Sequence, residues 1–231
     1  VTDSRADVLS RIKAALGRRG ADPAPAEALR RLREPAPNLV PARARLDRDA
    51  QVKLFISEAE RVGATAERVG DIFHVPERVR AYLARHNLSA AVRIPPDPLV
   101  ENIPWSKQPL LSVERKAADG ADYAALTGAF AGVAETGTLI LVSGAECPPD
   151  LHFLASTHIV VLPRERVVGA YEEAWALLRS AGAAGRFMPR AVNWITGPSR
   201  TADIEQTLLM GAHGPKRLHV IVVERLSPIY S

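Results

Sequence analysis

The sequence predicts an α/β fold: a mainly parallel sheet with helices on both faces, preceded by an N-terminal helical arm. Three observations carry this. Short runs of Val, Ile and Leu, at residues 138–142, 158–162 and 218–224, read as strands buried on both faces. Stretches of helical period, such as residues 47–62 and 76–86, lie between strand-like runs. Strand and helix signals alternate along the chain, and parallel neighbours require such crossovers.

The elements follow in order. Residues 3–16 place Val8, Leu9, Ile12 and Leu16 near helical spacing, and Gly17 is the stop signal. Residues 17–41 are rich in Ala, Pro and Arg, which predicts an arm with room for a short helix at 26–33. Asp47 or Asp49 can cap a helix running to Val62, with Val52, Phe55, Ile56 and Ala59 on one stripe. Residues 65–69 are strand-like, and 76–86 read as a helix with Pro76 in its first turn. A strand is expected at 91–94, an irregular Pro-rich connection at 95–109 and a strand at 110–114. Residues 123–134, rich in Ala and Gly, suit close packing as helix or strand. Strands follow at 138–142 and 158–162, then a helix over 164–181, a strand at 192–196, a helix near 202–210 and a strand at 218–224. The expected organisation is an arm at 1–46 and an α/β domain at 47–226.

The formal net charge of +4 resides entirely in residues 1–50, which carry 11 Lys and Arg against 7 Asp and Glu. The other 181 residues carry 19 of each sign, so the globular part offers no basic face for nucleic acid. Cys147 stands alone, which excludes an intramolecular disulfide and an all-Cys metal or iron–sulfur site within the chain. No apolar run approaches membrane-spanning length, and the first residues lack the apolar core of a secretory signal, so a cytoplasmic location is expected. There is no G-x-G-x-x-G after a strand, no P-loop and no G-x-S-x-G elbow.

Three constellations could carry chemistry. Glu135, Thr136, Gly137 and Thr138 precede a buried strand. A carboxylate beside a glycine turn can act as nucleophile or base; the same residues also make a tight turn with satisfied side chains. The segment Gly197, Pro198, Ser199, Arg200, Thr201, Ala202, Asp203 follows an apolar run. It suits an anion at a helix N-terminus, with Arg200 adding charge, or simple capping by Asp203. His213 and Gly214 form a turn before the last strand, where a histidine can be an acid, a base or a ligand-orienting donor, or a turn residue held by the backbone. His152 and His158 could join a metal site, but no H-x-x-x-H or H-E-x-x-H spacing is present, so no metal is expected. Glu135 and His213 are the candidate catalytic residues. Thr136, Gly137, Thr138, Gly197, Ser199, Arg200, Thr201, Asp203 and Gly214 are the candidate ligand-binding ones. One pocket at the carboxyl edge of the sheet is expected to gather them around a small carboxylate or phosphate.

At these residues the chain resembles the lactate utilisation protein C family, the stand-alone form of the LUD domain. The matching segments are AETGTLILVSG (134–144), HIVVLP (158–163) with RVVG (166–169), ITGPSRTADIE (195–205) and GAHGPKRLHVIVVE (211–224). The resemblance covers about 47–224. It implies a CoA-transferase-like fold, shared with sugar-phosphate isomerases and formyltetrahydrofolate cyclo-ligase. It also implies a non-redox role in oxidising L-lactate to pyruvate, with iron–sulfur clusters on partner proteins and no cofactor in this chain. In CoA-transferases a Glu beside a glycine-containing turn is the nucleophile, and Glu135 lies in a comparable context. The alternative is an independent enzyme acting on an acyl-CoA, a folate or a sugar phosphate.

Overall fold

The computed structural model of the protein describes residues 4–15, 17, 26–34, 36, 38–116, 123–182, 189–202, 208–211 and 213–226. Contacts divide the chain into two units, Val1–Leu39 and Val40–Ser231. The first holds helices α1 (Ser4–Ala15) and α2 (Ala26–Arg33). In α2, Glu27 pairs with Arg30 and Arg31 at 2.9 Å each, the i,i+3 and i,i+4 spacing that supports an exposed helix.

The second unit is built on a six-stranded, all-parallel sheet. Its order is β1 (Thr65–Val69), β12 (Arg217–Val223), β7 (Thr157–Pro163), β4 (Ala124–Gly128), β2 (Ala91–Arg93), β3 (Ser112–Glu114). β7 is buried along its whole length, which is why HIVVLP is apolar without alternation. One face is covered by α4 (Val75–Arg85) and α5 (Pro98–Glu101), whose Val79, Leu83 and Val100 pack with Leu126, Ile159, Val161 and Ile221. The other is covered by α3 (Arg48–Arg61), whose Val52, Phe55 and Ala59 pack with Val160, Leu162, Val220 and Val222. α3 begins where Asp47 accepts a hydrogen bond from Ala50 N at 2.9 Å, and α4 carries Pro76 in its first turn. The short α6 (Asp150–Phe153) seats Leu151 on Ala125 of β4.

A second, four-stranded sheet lies over α3. Its order is β8 (Val167–Val168), β5 (Ala131–Val133), β6 (Thr138–Val142), β9 (Val192–Ile195). β6 runs antiparallel to both neighbours, and β5 is parallel to β8. Leu139 and Leu141 face the core shared with α3, while Ile140 and Val133 face α7 (Tyr171–Ala181). The parallel sheet with helices on both faces is as the sequence predicts, and so are the N-terminal helices.

Two elements differ. The helix expected over 164–181 begins only at Tyr171. Val167 and Val168 pair instead with Gly132 and Val133, and Gly169 approaches Ala44 so closely that a Cβ would lie 2.0 Å from Ala44 O. The helix expected near 202–210 is replaced at both ends by an antiparallel ribbon of β10 (Arg200–Ala202) and β11 (Leu208–Met210). Residues 203–207 lie outside the described residues. The segment 123–134, which the sequence left open, is the two strands β4 and β5.

Candidate functional site

β9 ends at Ile195, and the chain turns at Gly197 with φ +81°. A Cβ there would meet Val62 O at 2.6 Å, so glycine alone permits this approach to the end of α3. Ser199 N donates to Pro215 O at 2.9 Å, and Gly211 N donates to Ser199 O at 3.0 Å. These bonds stitch the loop after β9 to the turn before β12. Gly214 faces Ser199, whose Cβ would lie 3.3 Å from an added Cβ.

The two loops and the start of β7 enclose a cavity of about 220 Å³. His152, Phe153, His158, Trp194, Thr196, Ser199 and His213 line it, with Ile195, Gly197, Pro198, Gly214, Pro215 and Leu218. The cavity lies at the amino ends of the strands: His158 is the second residue of β7, Leu218 is the second of β12, and residues 213–215 lead into β12. This corrects the expected carboxyl edge. The reason is topological, since a turn that feeds a parallel strand lies at that strand's start.

Of the residues the sequence singled out, Gly197, Ser199, His213 and Gly214 line this cavity, while Glu135, Thr136, Gly137 and Thr138 do not. Glu135 is 6% exposed, and its Oε1 accepts from Tyr171 N at 3.4 Å at the start of α7. A carboxylate there complements the helix N-terminus. Gly137 has φ +63°, and a Cβ on it would lie 2.2 Å from Ala59 N, so the turn is pressed onto α3. Thr136 and Thr138 join a hydroxyl chain. Thr138 Oγ1 lies 2.7 Å from Thr136 Oγ1, 2.9 Å from the Tyr171 hydroxyl and 2.7 Å from Thr196 Oγ1. Thr196 therefore links the E-T-G-T turn to the cavity wall.

The anion cradle expected at residues 197–203 loses its donors. Ser199 N is already bonded to Pro215 O, and Arg200 Nη2 donates to Val62 O at 2.6 Å, which caps the carbonyl end of α3. Residues 200–202 are strand, so no helix N-terminus forms there. Thr201 is described only by its backbone, and Asp203 lies outside the described residues.

The sequence did not rank His152 and His158 as site residues. His158 is fully buried, and its Nε2 lies 2.8 Å from Thr127 Oγ1 on the neighbouring β4. His152 is 2% exposed, and neither ring nitrogen has a hydrogen-bond partner among the described residues. A buried polar group left unpaired costs about 1–3 kcal/mol. The two rings stack with centroids 5.6 Å apart. Burial pushes the His152 pKa down to about 4 and that of His158 well below its ordinary value. Both rings are thus neutral near pH 7. The only sequence hint was that histidines recur beside apolar segments, and that pattern also marks core histidines.

Among the described residues no group of three or more His, Cys, Asp or Glu is placed to hold a metal, and no helix is long and apolar enough to cross a membrane. Burial, and then the nearby Asp97 carboxylate, push the Cys147 thiol up to about 12, which suppresses the reactive thiolate. A larger cavity of about 310 Å³ lies at the other side of the sheet's amino edge, by Ser89, Arg93 and Tyr123. There Arg93 already stacks on the Tyr123 ring and pairs with Glu114 at 3.4 Å.

The family model of the LUD domain matches residues 112–223. A lactate utilization protein C from Geobacillus kaustophilus (strain HTA426) is 35% identical over 178 residues, covering 73% of this chain and 71% of the relative. One from Geobacillus thermodenitrificans (strain NG80-2) is 38% identical over 117 residues, 49% of each chain. One from Bacillus subtilis (strain 168) is 36% identical over 94 residues, 40% of this chain and 39% of the relative. The matches to the last two thus span half or less of those proteins. The crystal structure of a DUF162 family protein from Deinococcus radiodurans superposes with a TM-score of 0.55 at 23% identity, covering 77% of this chain and 99% of that one. At that identity the likeness speaks for the fold.

Proposed function

Since this chain belongs to the lactate utilization protein C family, we propose that it is a non-redox component of an L-lactate utilisation system. In this reading, iron–sulfur partner proteins carry the electrons as L-lactate is oxidised to pyruvate, and this chain binds a small carboxylate. The observation that carries the proposal is the cavity of about 220 Å³, around which three of the family-like segments converge. Its walls are apolar at Phe153, Trp194 and Leu218, and its polar groups are few, which is the usual make-up of a small-molecule site. The small volume and the engagement of Arg200 with Val62 weigh against an acyl-CoA, folate or sugar-phosphate ligand.

The carboxylate sits at the exposed end of the cavity. His213 is exposed there, and its imidazole can donate a ring N–H to the carboxylate. The Ser199 and Thr196 hydroxyls add donors on the wall. Loss of one charge-assisted hydrogen bond costs about 1.5–3 kcal/mol, so His213→Ala should weaken L-lactate binding by about tenfold or more. The test is growth. A strain lacking the gene should fail on L-lactate as sole carbon source, wild-type protein should restore growth, and His213→Ala should not. Co-purification of iron–sulfur proteins with the tagged chain from L-lactate-grown cells supports the partner assignment. Normal growth of the deletion strain on L-lactate would refute the proposal.

A further inference from the structure

The buried end of the cavity poses a specific chemical demand. His152 and His158 are 2% and 1% exposed, whereas His213 and Thr196 are exposed, so the cavity runs from a buried imidazole pair to an open mouth. His158 is held by Thr127 Oγ1 at 2.8 Å and stacks on His152. Leu151, 1% exposed against Ala125, anchors the short helix that carries His152. His152 is therefore fixed in place, yet neither of its nitrogens is bonded among the described residues. Buried polar groups are nearly always satisfied, and an exception calls for an explanation such as strain, an ordered water or ion, or a functional role. His152 is the one such group among the described residues that also lines the cavity.

We propose that His152 recognises the ligand, reading an oxygen on the carbon next to the carboxylate. The inference rests on the reading of this cavity as a small-carboxylate site. A neutral imidazole offers one N–H donor and one bare nitrogen acceptor. It accepts from a hydroxyl on that carbon, or donates to a keto oxygen there. A carboxylate is excluded from the buried end, because an anion in a poorly solvated site beside uncharged rings lacks compensation. The carboxylate therefore faces Ser199 and His213 at the mouth, and the adjacent oxygen faces His152. The ligand class is a short 2-hydroxy or 2-oxo acid. One uncharged residue then accommodates both the reduced and the oxidised member of such a pair. His158 acts as a positioning residue for the His152 ring.

The experiment titrates the full chain with L-lactate, pyruvate and propionate, which share a three-carbon carboxylate and differ at the second carbon. Calorimetry gives the affinities, and nitrogen-15 spectra of the histidine rings report where binding is felt. L-Lactate and pyruvate should both shift the His152 ring nitrogens and bind at least about tenfold tighter than propionate, because a site built to bond an oxygen rejects the analogue lacking it. His152→Phe should bind all three acids alike, and His152→Gln, which keeps a donor and an acceptor, should restore part of the preference. Equal binding of the three acids by the wild-type chain, or unmoved His152 nitrogens, would overturn the role of His152 and leave the small-carboxylate reading intact. If none of the three binds, that reading of the cavity falls, and this inference with it. Should His152→Phe fail to fold, the wild-type ring spectra decide the matter alone.

Discussion

Gly137 lies at φ +63° with the end of α3 against it, and a Cβ there would be 2.2 Å from Ala59 N and 2.6 Å from Ala59 Cα. Both contacts are to backbone, so no side chain can rotate away. Gly137→Ala combines left-handed strain with overpacking and should cost about 2–4 kcal/mol. Urea denaturation measures this, and a loss below about 0.5 kcal/mol would mean that the turn shifts freely. The E-T-G-T turn was visible in the sequence as a glycine turn. That its glycine meets a helix, and its Glu135 another helix's first N–H, depends on contacts distant in sequence. His152 brings a pH dependence. Its folded pKa, about 4, is below the ordinary 6.5, so between those values the unfolded chain binds more protons. Stability is then full above about pH 6.5, falls as the pH drops through that window and levels off near 4. The linkage is on the order of 3 kcal/mol for this group. His158 acts in the same direction. Unfolding measured at pH 7, 6 and 5 should show the decline, and His152→Phe should make it shallower, leaving the part that His158 contributes.

Arg200 shows how an element's neighbours override its local signals. The run from Pro198 to Asp203 resembles the start of a helix, with Arg200 free to meet an anion. The guanidinium instead reaches Val62 O at 2.6 Å, beside Gly63, where a Cβ would overlap it. It thereby answers the negative end of α3. Arg200→Ala should destabilise the fold by about 1–2 kcal/mol and leave L-lactate affinity within about twofold of wild type. A tenfold loss of affinity at unchanged stability would return Arg200 to the ligand. The helix start at Asp47 and the proline in the first turn of α4 were legible because capping is local chemistry. The strands Val167–Val168 and Arg200–Ala202 were not, because short segments take the structure their hydrogen-bond partners offer.

The whole chain divides at Leu39, and the residues that form the two sheets and the cavity all lie in Val40–Ser231. A chain lacking residues 1–39 should unfold in one cooperative transition and bind L-lactate as the full chain does. A broad, non-cooperative melt would assign the arm a structural role. The alternation of apolar strands with amphipathic helices was enough to specify a parallel α/β sheet, because burial on both faces and helical crossovers each leave a periodic mark on neighbouring residues. The G-P-S and H-G-P turns also announced themselves, since glycine and proline act within a few bonds. The sequence carried no mark that the turn after β9 meets the turn before β12 beside the start of β7, or that His152 ends beside them with its nitrogens unbonded among the described residues. Strand order arises from pairings between segments distant in the chain, such as β1 and β7 with β12, and the burial of the His152 imidazole depends on β4 and on the loop after β9; both are settled only when the layers pack.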